Sequence, residues 1–285
     1  MGAIDFILNL AGLLLWLSWR SMHFDPLIKS TPVTLAGTLK RAEPRRWKGW
    51  QVGGVLALLV ALRAVLYWLI GAPADWTPKL NLEFVVLAFR SDSFRACLTY
   101  SCLSFLRAWV VLYFWLMVLA AINRVSTETN PIQKLVRLHL GKTARWPWPV
   151  QFLLPFLIVI LLWCGLHPLL VYLGVMTSVR STAHLLGQGS LVGLSLLLSL
   201  KYVLPVLLLL HLVASYVYLG TSPLWEFVAT TSANLTAPLR RFPLRLGKLD
   251  FAPVLGVFLI LWLLEWLPNA VLARLAASRL SAWPQ

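Results

Sequence analysis

The chain has 285 residues, 59% of them hydrophobic and 12% charged, with a mean hydropathy of +0.78; a soluble domain holds roughly 45–50% apolar and about 25% charged residues. This composition excludes a soluble enzyme or binding module and points to an all-α polytopic membrane protein. The formal charge of +15 does not indicate nucleic acid, because the basic residues fall in short loops between apolar spans and not along one face of a domain.

The first apolar run, residues 3–19, has no basic residue before it and Arg20 directly after it. A cleavable signal peptide carries its charge at the other end, so this run is expected to be a retained helix with its amino terminus outside the cytoplasm. The loop over residues 20–50 carries Arg20, Lys29, Lys40, Arg41, Arg45, Arg46 and Lys48 against Asp25 and Glu43, which places it in the cytoplasm. Asp25 is suited to cap a short helix opened by Pro26, whose missing N–H would be unpaired there anyway. Residues 52–70 form the second span, near the ~20 residues that cross about 30 Å of hydrocarbon. Arg63 interrupts it, and either pairs with a neighbouring helix or marks a polar pathway.

In residues 71–104 the acidic Asp75, Glu83 and Asp92 nearly offset Lys79, Arg90 and Arg95, as suits an external loop. Within it residues 82–89 are too short to span and are expected at the membrane surface. The third span covers residues 103–122, and the loop after it is again basic, with Arg124, Lys134, Arg137, Lys142 and Arg145 against Glu128. There Asn130 caps and Pro131 opens a short amphipathic helix, with Ile132, Leu135, Val136 and Leu140 on one face and Gln133, Lys134 and Arg137 facing away. Gly141 is placed to stop it. The run Trp146-Pro147-Trp148-Pro149 suits an interface anchor.

Residues 150–172 make the fourth span and residues 174–189 a small-residue external loop. The fifth apolar run, 191–219, is longer than a span needs, so it tilts or its first turns up to Lys201 lie outside the bilayer. Ser222-Pro223 then opens the last cytoplasmic stretch. Pro238 and Pro243 bracket a turn holding Arg240 and Arg241 at the headgroups, Arg245 and Lys248 follow, and Asp250 is placed to cap the final span, 252–267. Six helices with both termini outside satisfy this charge pattern.

The chain reads as a single membrane domain over residues 1–285 with three helix-loop-helix hairpins, 3–71, 103–172 and 191–272. Each has an amphipathic cytoplasmic interfacial segment, led by Pro26, Pro131 and Pro223, which lie 105 and 92 residues apart, a spacing compatible with duplication. In the third hairpin Pro223, Trp225, the turn Leu239-Arg240-Arg241-Phe242-Pro243 and the run Leu249-Asp250-Phe251-Ala252-Pro253 resemble the YggT (YlmG) family over residues 216–262. The second hairpin keeps Asn130-Pro131 but lacks the Arg-Arg-x-Pro turn, and the first keeps Asp25-Pro26. Members of that family usually show two such hairpins where this chain has three. The resemblance implies a bacterial inner-membrane protein without recognised catalysis, associated with envelope organisation, division, cofactor assembly on membrane cytochromes or osmotic tolerance.

The sequence holds no P-loop, HExxH or CxxC motif, and its acidic residues are too scattered for a paired-carboxylate site. Cys97, Cys102 and Cys164 are too few and too unevenly spaced for a disulfide framework or a zinc site, so no metal or cofactor is expected. The intramembrane polar candidates are Arg63, His211 with Ser215 on the same face, and Glu265. Arg63 and Glu265 are expected to pair. The sequence therefore favours a non-catalytic scaffold that meets anionic lipid headgroups or membrane partners, with a channel or transporter using Arg63, His211 and Glu265 as the alternative.

Overall fold

Inside hydrocarbon an apolar run satisfies its backbone N–H and C=O groups only as a helix or a closed barrel, and this chain takes the helical solution. A computed structural model describes residues 2–24, 49–71, 73, 76–124, 130–179, 181–217, 220, 222–239, 245–246 and 249–277; for 21–24, 245–246, 249–250 and 275–277 it describes the backbone alone. The elements are α1 (Gly2–Phe24), α2 (Gly49–Gly71), β1 (Lys79–Asn81), β2 (Val86–Ala88), α3 (Phe94–Ile122), α4 (Pro131–Leu140), α5 (Trp148–Tyr172), α6 (Thr182–Leu198), α7 (Leu200–Tyr216), α8 (Pro223–Thr236), β3 (Arg245–Leu246), β4 (Leu249–Asp250) and α9 (Ala252–Ala277). Among the described residues six helical runs are long and apolar enough to cross a membrane: α1, α2, α3, α5, the 35-residue run Thr182–Tyr216 formed by α6 and α7, and α9. The chain divides into two compact units, Met1–Leu80 with Ala88–Trp109, and Asn81–Leu87 with Val110–Gln285.

The first unit packs α1 along α2. Gly12 lets the chains close: a Cβ there would lie 2.7 Å from the ring of Phe105 and 3.6 Å from Leu56. The third span starts at Phe94, well ahead of the expected residue 103. Tyr100, Ser101 and Ser104 make that part of the sequence look like loop, but they are buried and satisfied inside the unit. Ser101 Oγ, for instance, donates to the Val60 carbonyl at 2.8 Å. Residues 82–89, expected at the membrane surface, help build the β1–β2 hairpin. The Leu82 N–H donates to the Val85 carbonyl at 2.7 Å, and Leu80 and Leu87 are buried between exposed neighbours. Just after the hairpin, Arg90 Nη2 donates to Asp92 at 2.8 Å, and this hydrogen bond holds the Asp92 carboxyl below its ordinary range.

In the second unit α5 packs most extensively along α6, and α7 along α9. The small-residue stretch expected as an external loop is helical from Thr182 onward. Two glycines of α6 serve packing: a Cβ on Gly193 would lie 2.8 Å from the Phe156 ring, and one on Gly189 would lie 3.4 Å from Ile160 Cα. Between α6 and α7, Ser199 keeps right-handed helical backbone angles. Its hydroxyl donates to the Leu196 carbonyl at 2.6 Å and accepts from Trp115 Nε1 at 3.0 Å. Lys201, expected near the outer end of the span, donates to Glu83 at 3.1 Å.

Asn130 and Pro131 act as expected. Asn130 Oδ1 accepts the Ile132 N–H at 2.9 Å, Pro131 is the first helical residue, and Gly141 at φ 60° ends α4. The faces of α4 differ from the sequence reading, because Gln133 and His139 are buried with Val136 and Leu140 while Leu135 is exposed. Val136 and Leu140 pack on Met117 and Ala120 of α3. Gln133 is drawn inward by a hydrogen-bonding site at the end of α3. The last span begins at Ala252, and the Leu255 N–H bonds the Phe251 carbonyl, so Phe251 holds the cap position expected for Asp250. The Asp250 backbone lies in β4, paired with Arg245.

Candidate functional site

In the first unit three helices each place two polar residues four positions apart, and so on one face: Asp5 and Asn9 on α1, Arg63 and Tyr67 on α2, Tyr100 and Ser104 on α3. They meet at the Arg63 guanidinium, which is 2% exposed. Its Nη2 donates to Asp5 Oδ1 at 2.5 Å and to Ser104 Oγ at 2.9 Å, and its Nη1 donates to Asn9 Oδ1 at 2.8 Å. Asn9 Nδ2 in turn donates to Ser104 Oγ at 3.0 Å. The Asp5 carboxylate also accepts the hydroxyls of Tyr67 at 2.5 Å and Tyr100 at 3.0 Å. The guanidinium carbon lies 5.5 Å and 5.2 Å from the centroids of these two rings, within cation–π range.

A lone charge at the centre of a span costs about 2.5–3.5 kcal/mol on insertion scales, so Asp5 and Arg63 reduce each other's cost. Both Asp5 oxygens and both terminal nitrogens of Arg63 are occupied, and Arg63 Nε has no hydrogen-bond partner. The arrangement clamps α1 to α2 and α3 and points no reactive group at open space. It also corrects the expected Arg63–Glu265 pair: the ion pair of Arg63 is with Asp5.

In the second unit a polar node joins the end of α3 to α4 and α8. Asn123, buried, donates from Nδ2 to Thr231 Oγ1 at 2.8 Å and accepts at Oδ1 from Asn234 at 3.0 Å. Its carbonyl accepts from Gln133 Nε2 at 2.9 Å and from Arg137 Nη2 at 3.4 Å. One helical turn away, Asn130 Nδ2 donates to the Pro223 carbonyl at 2.8 Å and to Glu226 Oε2 at 3.2 Å. Two segments that the sequence presented as separate elbows, led by Pro131 and Pro223, are thus bonded at their first turns. On α8, Phe227, Val228, Thr231, Ser232 and Thr236 are buried. The hydroxyls of Thr231 and Thr236 donate to carbonyls four residues back, while Ser232 Oγ donates to the Leu207 carbonyl of α7 at 3.2 Å.

Around this node the outward residues are basic and apolar. Lys134, Lys142 and Arg145 are exposed, and so are Leu135, Trp146 and Trp148. Trp225 is half-buried on α8, and Pro253 is buried in the first turn of α9. Ser222 stands at the cap position of α8 without a side-chain cap bond. His211 is half-buried on α7, its neighbour Ser215 donates to the Leu212 carbonyl, and Glu265 is exposed on α9. Asp25, Pro26, Arg240, Arg241 and Pro243 lie outside the described residues, as does the Asp250 side chain. A cavity of about 610 Å³ in this unit is lined by residues 84–87 and 174–177, and none of the sequence candidates lines it. Among the described residues no group of three or more histidine, cysteine or acidic side chains is placed to hold a metal ion. Cys97, Cys102 and Cys164 are free thiols.

Six long apolar helical runs among the described residues define the class: an all-α, multi-pass membrane protein. No protein-family model, curated protein or solved structure matches the chain.

Proposed function

We propose that the chain is a non-catalytic scaffold or assembly factor of the YggT kind in a bacterial inner membrane, with both termini outside the cytoplasm. Its basic elbows, α4 with the turn after it and α8 with the Arg240-Arg241 sequence that follows it, contact anionic headgroups and membrane partners of division or cofactor assembly. The observation that carries this reading is the bond from Asn130 to the first turn of α8. It joins two Pro-led elbows into one pad, edged by exposed Lys134, Lys142, Arg145, Trp146 and Trp148. Each basic side chain near an anionic leaflet contributes about 1 kcal/mol, and indole rings favour the headgroup level. The enclosure of Arg63 by Asp5, Asn9 and Ser104 favours a structural role for that residue over a place on a transport route.

A photo-crosslinking residue replacing Leu135 on α4, in membranes containing phosphatidylglycerol, tests the reading. Leu157, equally exposed on α5 at 53%, serves as the control. Capture of anionic lipid or of a discrete partner protein from position 135, in excess over 157, is the expected result. Equal capture from the two positions removes the pad as a docking surface.

A further inference from the structure

Helix α9 carries a carboxylate on a face that nothing among the described residues of its own unit covers. Only 6% of the most apolar window of α9 is buried, and Phe258, Trp262, Leu263, Trp266 and Leu272 are exposed on it. Lipid tails suffice to cover such a surface, but they do not suit Glu265, which is exposed among these residues. Glu265 lies roughly 20 Å along the helix from Ala252 and roughly 13 Å before Arg274, at about 1.5 Å rise per residue. With the whole run Ala252–Arg274 as the crossing, seven residues longer than the expected 252–267, a glutamate side chain at that depth reaches neither end. Among the described residues its carboxylate has no hydrogen-bond or ionic partner. Asn269, one turn on, donates to the Glu265 backbone carbonyl at 3.1 Å and leaves the carboxylate unserved. An ionisable group inside a span and facing lipid is costly and marks a functional contact.

We propose that the outer face of α9 docks a transmembrane helix of a partner membrane protein, and that this helix places a lysine or arginine against Glu265. Charge selects the occupant. A second copy of this chain inserts in the same orientation, so a symmetric α9 pair sets two Glu265 carboxylates at the same depth, where like charges oppose each other. A basic side chain on a different helix neutralises the carboxylate and gains a charge-assisted hydrogen bond in a medium that offers no water. Trp262 and Trp266, stacked at 6.3 Å, supply broad apolar contact beside the carboxylate. This surface is separate from the α4–α8 pad, so either can fail while the other stands.

The test uses the full-length protein, fluorescently labelled and reconstituted in phosphatidylcholine vesicles, with synthetic single-span polyleucine helices as probes. One probe carries a lysine at the depth of Glu265, one leucine there, and one aspartate. Energy transfer is expected to report association with the lysine probe about five- to thirtyfold tighter than with the leucine probe. Glu265→Gln is expected to abolish that preference and Glu265→Lys to transfer it to the aspartate probe. Because the side chain faces outward, these variants keep the fold, which an unchanged thermal transition confirms. A lysine preference that survives Glu265→Gln, or equal binding of all three probes, overturns the proposal. Energy transfer between two labelled copies that disappears in Glu265→Gln also overturns it, by assigning the face to self-association.

Discussion

Arg63 is the sole charged residue of α2, and its energetics belong to the pair it makes with Asp5. Breaking a buried pair by removing one partner leaves the other charge uncompensated, at about 3–5 kcal/mol, whereas replacing both with apolar residues is often neutral. Arg63→Leu is therefore expected to destabilise the protein by about that amount, and Asp5→Leu with Arg63→Leu to recover most of the loss. Reversible unfolding in mixed micelles measures both; a double variant as unstable as the single one would show that the hydrogen bonds to Asn9 and Ser104 outweigh the ion pair. At the second node, Asn123→Ala removes the donor to Thr231 Oγ1 and the acceptor of Asn234 Nδ2 and is expected to cost about 1–3 kcal/mol. Thr230→Ala, on the exposed side of α8, should cost under about 0.5 kcal/mol. Arg63 stood out in the sequence because it interrupts an apolar run. Its partners did not, although each helix carried the signal as an i, i+4 polar pair, because Tyr100 and Ser104 lie in a stretch whose mixed composition resembles an external loop. The choice of Asp5 over Glu265 depends on which helices pack together, and a hydropathy pattern does not contain that information.

Helices α5 and α6 approach closely because the facing positions on α6 have no side chain. At Gly189 an added Cβ meets Ile160 Cα at 3.4 Å, so a larger residue must push backbone against backbone. Gly189→Leu is expected to cost about 1–3 kcal/mol or more through overpacking. Gly187→Leu, on the same helix with nothing within 4 Å of its Cβ, should leave the thermal midpoint in the same detergent unchanged. The sequence showed these glycines as a small-residue loop, and composition supports that reading as well as the packing one, since glycine serves both turns and close helix approach. The α4 segment was more legible. Its Asn-Pro start and Gly stop are local features with local causes, and both hold. Its buried face was read less well, because burial of Gln133 depends on the Asn123 carbonyl at the end of another helix. A polar residue counts as outward in a periodicity argument until its partner is known.

Six apolar runs were readable from the sequence, and six helical runs among the described residues are long and apolar enough to cross a membrane. The side of the membrane each loop occupies rests on charge, since lysine and arginine in short loops resist translocation. An even number of crossings returns the carboxyl end to the side of the amino end, and the reading proposed above from the basic loops has both outside. The expectation concerns three exposed positions, each as a single cysteine in a background with Cys97, Cys102 and Cys164 replaced: Lys142 in the turn after α4, Thr177 between α5 and α6, and Arg274 near the end of α9. A membrane-impermeant maleimide added to intact spheroplasts should label Thr177→Cys and Arg274→Cys and leave Lys142→Cys unlabelled until the membrane is opened. The inverse pattern would put the α4–α8 pad on the outer leaflet, where its basic rim would no longer face the anionic cytoplasmic surface. Labelling of Thr177→Cys without Arg274→Cys would mean that the chain between them crosses an odd number of times, so that either the Thr182–Tyr216 run or α9 fails to span. Raising the salt discriminates further. Attraction of the pad to anionic vesicles should weaken between low and physiological ionic strength, because the Debye length shrinks to about 8 Å, while the enclosed Asp5–Arg63 pair should hold α1 in place unchanged.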